Sequence, residues 1–355
     1  MGAQRKIVIA AGGTAGHVVP ALAVAGALRA EGAEVAFIGG ERAEAELVPA
    51  AGFELHTITV AGLSRSNPLR ALRALWLAAV AVHRARELLR ALAPDAVMGG
   101  GGYVAGPVGV AALSLRIPLV LTEADSHLGL TNRLLAPFAR RVCLAFALPG
   151  RDGRRYRVTG RPVPPSAHDR AAARARFGVE PDATCVLVFG GSLGARSINL
   201  AAVEAFAGAP FHVLHVSGRR DHHELLARGL PADYDLREYL PLGDFADALA
   251  AADLVVARSG GSVFEIAAHG LPAVLVPYPH ASADHQRENA RWMADAGAAV
   301  VIDDAELNGG RLGGAVADLL ADRRRLAAMA AAARGLARPD AARDVADELL
   351  KAAGQ

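Results

Sequence analysis

The sequence predicts an α/β fold of two Rossmann-like parallel-sheet domains facing across a cleft. Three observations point there. A hydrophobic strand, Lys6-Ile7-Val8-Ile9-Ala10, runs into Gly12-Gly13-Thr14-Ala15-Gly16-His17. A second, Cys185-Val186-Leu187-Val188-Phe189, runs into Gly190-Gly191-Ser192-Leu193-Gly194-Ala195 near mid-chain. Between and after them, strands alternate with helical stretches, the pattern of a doubly wound sheet. Continuous apolar runs of this kind read as parallel strands buried on both faces. Glycine admits positive φ and lets backbone approach a ligand closely. The helix that follows turns bare N–H groups and its positive dipole end toward an anion. One such loop is as readily a tight turn as a phosphate site. Two, each opening its own half, favour binding.

Each element has its own signal. The strand at 6–11 leads into a helix over 17–31 and a strand over 34–39. Pro94 ends a long helix before a strand at 95–99; Gly99 to Gly102 and Tyr103 then open a loop and another helix. A strand over 118–122 ends in Thr122-Glu123-Ala124-Asp125. Segment 149–165 holds Pro149, Pro162, Pro164, Pro165 and several arginines, and reads as an interdomain linker. The second half repeats the alternation, with strands at 185–189, 211–216, 235–239, 253–257 and 273–276. A last helix over 341–353 follows Pro339 and is expected to pack back on the first domain. The expected division is 1–160, 161–338 and a C-terminal helix in 339–355.

Composition narrows the class. The 355 residues are 52% hydrophobic and 21% charged, enough to bury two cores. A net charge of +2 gives no ground to expect nucleic acid as a partner. Lys6 and Lys351 are the only lysines, so there is no Walker lysine and no interior lysine for a Schiff base. Cys143 and Cys185 lie far apart in apolar runs, which reads as buried thiols rather than zinc ligands or a disulfide. No signal peptide and no run of eighteen apolar residues are evident. A nicotinamide dehydrogenase is disfavoured because no clean G-x-G-x-x-G follows a predicted strand.

In open parallel sheets, ligands sit at the carboxyl ends of the strands. His17, Tyr103, Glu123, Asp125, Ser192, Arg258, Ser259, Glu265, His280, Asp284 and Gln286 all follow predicted strands. Loops are polar anyway, so the segment from Arg258 to Gln286 carries more weight. Arg258-Ser259-Gly260-Gly261-Ser262-Val263-Phe264-Glu265 puts glycines and a hydroxyl at a helix start with a carboxylate one turn on. Backbone amides there suit a phosphate, and Glu265 suits two ribose hydroxyls. After the strand bounded by Pro272 and Pro277, Asp284-His285-Gln286-Arg287-Glu288-Asn289 offers groups that read sugar hydroxyls.

These motifs resemble GT-B glycosyltransferases that use a nucleotide-sugar donor. With Gly101-Gly102-Tyr103-Val104-Ala105-Gly106-Pro107 and Gly129-Leu130-Thr131-Asn132-Arg133, nearly the whole chain resembles the MurG family. The resemblance implies an inverting transfer of N-acetylglucosamine from UDP-N-acetylglucosamine to undecaprenyl-diphospho-N-acetylmuramoyl-pentapeptide (lipid I). The product is lipid II for peptidoglycan, and so for cell shape and division. It implies that 161–338 holds the donor and 1–160 the acceptor and membrane. By position, Ser192, Gly260, Gly261, Ser262, Val263, Phe264, Glu265 and Gln286 match donor contacts, with Leu242 at uracil. Thr14, Ala15 and Gly16 match a segment implicated in the donor and acceptor diphosphates. Tyr103, Asp125, Asn132 and Arg161 complete the candidate substrate contacts. This chain departs from the family at Ala15, usually glycine, and at Thr122-Glu123-Ala124-Asp125, usually His-Glu-Gln-Asn. It also has Gly160-Arg161-Pro162-Val163-Pro164 where Gly-Asn-Pro-Val-Arg is usual.

The reaction needs a base for the acceptor hydroxyl and positive potential for the leaving diphosphate. His17, at a helix N-terminus that disfavours the imidazolium, is one candidate base; Glu123 is the other. No Asp-x-Asp stands where a metal-bound diphosphate would need it, so neither metal nor cofactor is expected. Lipid I implies a peripheral site on the cytoplasmic face of the cell membrane. The stretch 65–90 fits an anionic surface, with Arg65, Arg70, Arg73, Arg84, Arg86 and Arg90 beside Leu69, Leu72, Leu75 and Trp76. Alternatives are another GT-B glycosyltransferase, a UDP-N-acetylglucosamine epimerase, or a non-catalytic protein binding UDP-sugar or polyprenyl phosphate.

Overall fold

The computed structural model describes residues 4–60, 68–166, 169–191, 193–281 and 284–354, with backbone alone for 68–76. The chain divides into two compact units, Met1–Pro164 with Arg338–Gln355, and Pro165–Ala337. The first boundary falls four residues beyond the expected one. Arg161 therefore belongs to unit 1 and not to the second domain.

In unit 1 the chain runs β1 (Lys6–Ala10), α1 (Ala15–Ala30), β2 (Glu34–Gly39), α2 (Ala43–Ala50), β3 (Glu54–Thr57) and α3 (Pro68–Leu92). It continues through β4 (Ala96–Gly99), α4 (Ala105–Ser114), β5 (Leu119–Glu123), α5 (Leu130–Leu135), β6 (Arg141–Leu144) and β7 (Tyr156–Val158). The strands form a parallel sheet in the order β3-β2-β1-β4-β5-β6-β7. Its central strands are apolar because both faces are covered: Ile7, Val8, Ile9, Val97, Leu119 and Leu121 are all fully buried. The order reverses at β1 and β4, which places a topological switch point between the loops that follow them.

Unit 2 runs α6 (Arg170–Arg176), β8 (Cys185–Phe189), α7 (Arg196–Phe206), β9 (His212–Val216), α8 (His222–Leu226), β10 (Tyr234–Arg237) and α9 (Leu242–Ala251). Then follow β11 (Leu254–Ala257), α10 (Val263–Ala268), β12 (Ala273–Leu275), α11 (His285–Asp295), β13 (Ala299–Val301), α12 (Gly309–Ala321) and α13 (Arg323–Leu336). Its parallel sheet has the order β10-β9-β8-β11-β12-β13, again switching beside its first strand.

The last helix, α14 (Ala341–Ala353), returns to unit 1. Ala341, Val345, Leu349 and Ala352 recur at helical spacing and are buried against α1, β4 and β5. Two of its acidic residues are tied to the sheet edge. Glu348 accepts from Arg141 Nε at 2.5 Å and Arg157 Nη1 at 2.7 Å, and Asp344 accepts from Arg157 Nη2 at 2.7 Å. Burial pushes the Glu348 carboxyl up, but the hydrogen bonds from Arg157 and Arg141 outweigh it and hold the group below its ordinary value.

Two expectations need correcting. Segment 149–165 is not all linker: Tyr156–Val158 pairs with β6 as edge strand β7, held by Arg157 to α14. The helix expected at 17–31 begins at Ala15, so His17 lies inside its first turn. The basic stretch proposed to meet a membrane falls partly outside the described residues: Arg65 is one, as are the side chains of Leu69, Arg70, Leu72, Arg73, Leu75 and Trp76. Further along α3, Ala81, Ala85 and Leu89 are buried at i, i+4 and i+8, so that part of the helix packs on the sheet.

Candidate active site

The loop after β1 is held by a residue the sequence reading passed over. Glu44, on α2, is fully buried, and its carboxylate accepts from the Gly13 and Gly40 amides at 2.8 Å each. It also accepts from the Tyr103 hydroxyl at 2.8 Å. Burial pushes its carboxyl up, but the amide and phenol donors outweigh this, so it stays ionised below the ordinary range. Tyr103 is in turn pushed up to about 12, first by burial and then by Glu44. One buried carboxylate thus joins the loops after β1, β2 and β4.

The glycines of the β4 loop permit this close approach. Gly102 sits at φ +76°, and a Cβ there would lie 1.8 Å from the Gly12 carbonyl oxygen. A Cβ on Gly101 would lie 2.7 Å from His17 Cδ2. The backbone of the β4 loop therefore lies directly on the β1 loop and on the imidazole. Ala15 begins α1, and among described non-glycine residues positive φ is confined to Ala93, Arg116 and Asp284. The methyl that replaces the usual glycine hydrogen thus brings no backbone strain.

His17 is half-buried in this nest, with Nδ1 3.4 Å from the Thr14 hydroxyl. Burial and the nearby Arg161 guanidinium lower its basicity, opposed by Asp125 and Glu44. The neutral imidazole, the form that can accept a proton, is favoured. Buried Arg161 donates from Nη2 to the Gly16 carbonyl, so its cation stands at the end of the same loop. Thr14, Gly16, His17 and Arg161 are brought together at the carboxyl end of the sheet, with Asp125 near enough to act on the imidazole.

The loop after β5 differs from expectation. Glu123 is buried and accepts from the amides of Ala124, Asp125 and Gly129 at 3.0, 3.2 and 2.8 Å. It accepts a fourth bond from Asn132 Nδ2 at 2.9 Å. Four donors occupy the roughly four lone-pair sites of a carboxylate. The Glu123 carboxylate is therefore taken up in shaping its own loop. Asn132 is buried too, its amide nitrogen also donating to the Thr122 carbonyl at 2.9 Å.

In unit 2 the loop after β8 contains Ser192, which lies outside the described residues. Its neighbour Gly194 sits at φ +77°, with a notional Cβ 2.0 Å from the Ser217 carbonyl oxygen, so this loop too lies on bare backbone. α10 begins after Gly260-Gly261-Ser262, and the Ser262 side chain makes no cap bond to the helix. Val263 and Phe264 are buried beneath it, and Glu265 is half-buried in its first turn. Gln286 faces the start: Nε2 lies 3.9 Å from where a Gly260 Cβ would be, while Oε1 accepts from the Tyr278 amide at 3.0 Å. Buried Asn289 donates to the Ser259 carbonyl at 3.0 Å, and Ser259 donates to the Gln286 carbonyl at 2.7 Å. Leu242 opens α9 after Pro241. Arg258, read as part of the polar cluster, is occupied elsewhere. It pairs with Asp304 at 2.6 Å, donates to the Val276 and Pro277 carbonyls, and donates to Ser197 Oγ at 2.8 Å.

Comparisons with known proteins bear on both units. Residues 7–144 match the glycosyltransferase family 28 N-terminal domain, and residues 185–345 match its C-terminal domain. The chain is 44% identical to a UDP-N-acetylglucosamine–N-acetylmuramyl-(pentapeptide) pyrophosphoryl-undecaprenol N-acetylglucosamine transferase of Moorella thermoacetica, covering 98% of each chain. It is 45% identical to a protein of the same name from Halorhodospira halophila, covering 96% of this chain and 97% of that one. Among solved structures, Acinetobacter baumannii MurG is similar with a TM-score of 0.75 and 32% identity, over 98% of this chain and 99% of that one. A UDP-GlcNAc 2-epimerase of Neisseria meningitidis shares the fold at a TM-score of 0.68 but only 12% identity, over 98% and 100% of the two chains.

Proposed function

We propose that this chain, which belongs to glycosyltransferase family 28, transfers N-acetylglucosamine from UDP-N-acetylglucosamine to lipid I with inversion, forming lipid II for peptidoglycan. The observation that carries this is identity of 44–45% along nearly the full chain with transferases of that name. The geometry of both units agrees with it. On unit 2, the α10 start supplies amides and a positive dipole end for the UDP diphosphate, Glu265 binds ribose hydroxyls, and Gln286 reads the sugar. On unit 1, the Thr14–Gly16 loop faces phosphate, and His17 takes the proton of the attacking hydroxyl.

The chemistry follows from charge. The acceptor oxygen attacks the anomeric carbon as UDP departs from the opposite face, so an α-linked donor gives a β-linked product. His17 accepts the hydroxyl proton because its imidazole is neutral at physiological pH. Arg161 and the helix N-termini offset the charge that grows on the diphosphate. Glu123 and Asn132 act by holding the Ala124–Gly129 loop, and thereby Asp125, in place. The reading includes peripheral attachment at the cytoplasmic face through the basic start of α3. Among the described residues no helix is long and apolar enough to cross a membrane.

Incubation with UDP-N-acetylglucosamine and a lipid I analogue tests the reading. Disaccharide product, lost in His17→Ala, supports it; formation of an epimeric UDP-sugar without acceptor supports the epimerase. The double variant Leu72→Glu, Trp76→Glu should bind anionic liposomes less while turning over a soluble acceptor normally. Unchanged liposome binding rejects the membrane role.

A further inference from the structure

On unit 1, away from the loops above, lies an open pocket of about 610 Å³. It is lined by Arg140, Arg141, Arg154, Arg155, Lys351 and Glu348. Arg141 opens β6, Arg155 immediately precedes β7, and Lys351 is in the last turn of α14. The pocket is therefore at the amino ends of the parallel strands. The Gly12, Gly101 and Glu123 loops follow the carboxyl ends of theirs, at the opposite edge of the sheet.

Its charge is unbalanced. Five cationic side chains meet one carboxylate, Glu348, which is already shared by Arg141, Arg157 and Lys351. Arg140, Arg154 and Arg155 are exposed and have no ion-pair partner among the described residues. Three unpaired guanidinium groups around one concavity repel one another unless an anion joins them. Their planar forks match the oxygens of a phosphate group, and more than one phosphate charge is needed to offset them.

We infer that this pocket is a second anion site, for a diphosphate or phosphomonoester group, separate from the donor and acceptor sites. Because α14 forms one wall through Glu348 and Lys351, the bound anion fastens that helix to the sheet edge.

The test is calorimetric titration of the full chain with pyrophosphate, in saturating UDP so that the proposed donor site is filled. It is run on the wild type and on the triple variant Arg140→Ala, Arg154→Ala, Arg155→Ala. Wild type should bind with an affinity that falls as salt rises, and the variant at least about tenfold more weakly. Replacing the three by lysine should restore part of the binding, and transfer to a soluble acceptor should be unchanged in every variant. A second arm measures sedimentation with phosphatidylcholine vesicles, with and without phosphatidic acid. Loss of pyrophosphate binding in the variant identifies a soluble phosphate compound as ligand. Loss of vesicle capture alone identifies a lipid headgroup. Equal behaviour of wild type and variant in both arms overturns the inference.

Discussion

Glu44 offers the sharpest test of how the β1 loop is built. In Glu44→Gln one oxygen survives and can keep the Gly40 amide and the Tyr103 hydroxyl, both of which bond Oε1 in the wild type. The new amide group then points its own hydrogens at the Gly13 amide, which bonds Oε2. One charge-assisted bond is lost, worth about 1.5–3 kcal/mol, and two others fall to neutral strength. The local cost is about 3 kcal/mol, or roughly a hundredfold in the opening equilibrium. Two units make a single global unfolding energy ill-defined, so the readout is amide hydrogen exchange at Gly13 and Gly40 beside steady-state transfer. Exchange at Gly13 should quicken about a hundredfold, and kcat should fall because His17 sits on the same loop. Unchanged exchange and unchanged kcat would refute the claim that a buried carboxylate holds this loop.

Other outcomes follow from the same geometry. Gly102→Ala places a methyl against the Gly12 carbonyl at a positive φ; it should cost about 1–2 kcal/mol locally from the backbone alone and lower kcat, checked by amide hydrogen exchange at Gly13 and steady-state rate together. His17 is less basic than its ordinary 6.5, so the acid limb of kcat/KM should fall below that value, and His17→Ala should lose about a hundredfold or more in kcat. Glu348 is held below its ordinary 4.5. Its contribution to docking α14 is therefore complete above that pH and lost as pH falls through the lower folded value; limited proteolysis of the C-terminal helix should follow that curve. Glu348→Gln should release the helix by about 2–3 kcal/mol at neutral pH, since Arg141 and Arg157 lose a shared carboxylate.

Much of this architecture is legible locally. The strands at 34–39 and 185–189 and the helix at 341–353 appear at the boundaries their apolar patterns predict. What was missed is non-local. Strand β6 begins at Arg141, and β7 is Tyr-Arg-Val in a stretch rich in arginine and proline. β7 is too short and too polar to announce itself, and Arg141 and Arg157 on these strands are bonded to α14, 187–207 residues away. The edge strand β13, Ala299–Val301, is likewise too short to show a period. Glu44 looks like any acid in a helix. Its role appears only when Gly13 and Tyr103, 31 and 59 residues distant, meet it. The converse has the same root: Glu123, Asn132 and Arg258 lie at or beyond strand ends, where ligand contacts are found. A sequence does not reveal that their hydrogen bonds go to their own protein.

The central claim concerns what leaves the donor and where it goes. The most direct measurement is product analysis by mass spectrometry and NMR after incubation of the chain with UDP-N-acetylglucosamine and a lipid I analogue. The account predicts one UDP released per acceptor consumed and a β-linked N-acetylglucosamine on the muramoyl residue. UDP-sugar bound without turnover, or an α-linked product, would contradict it.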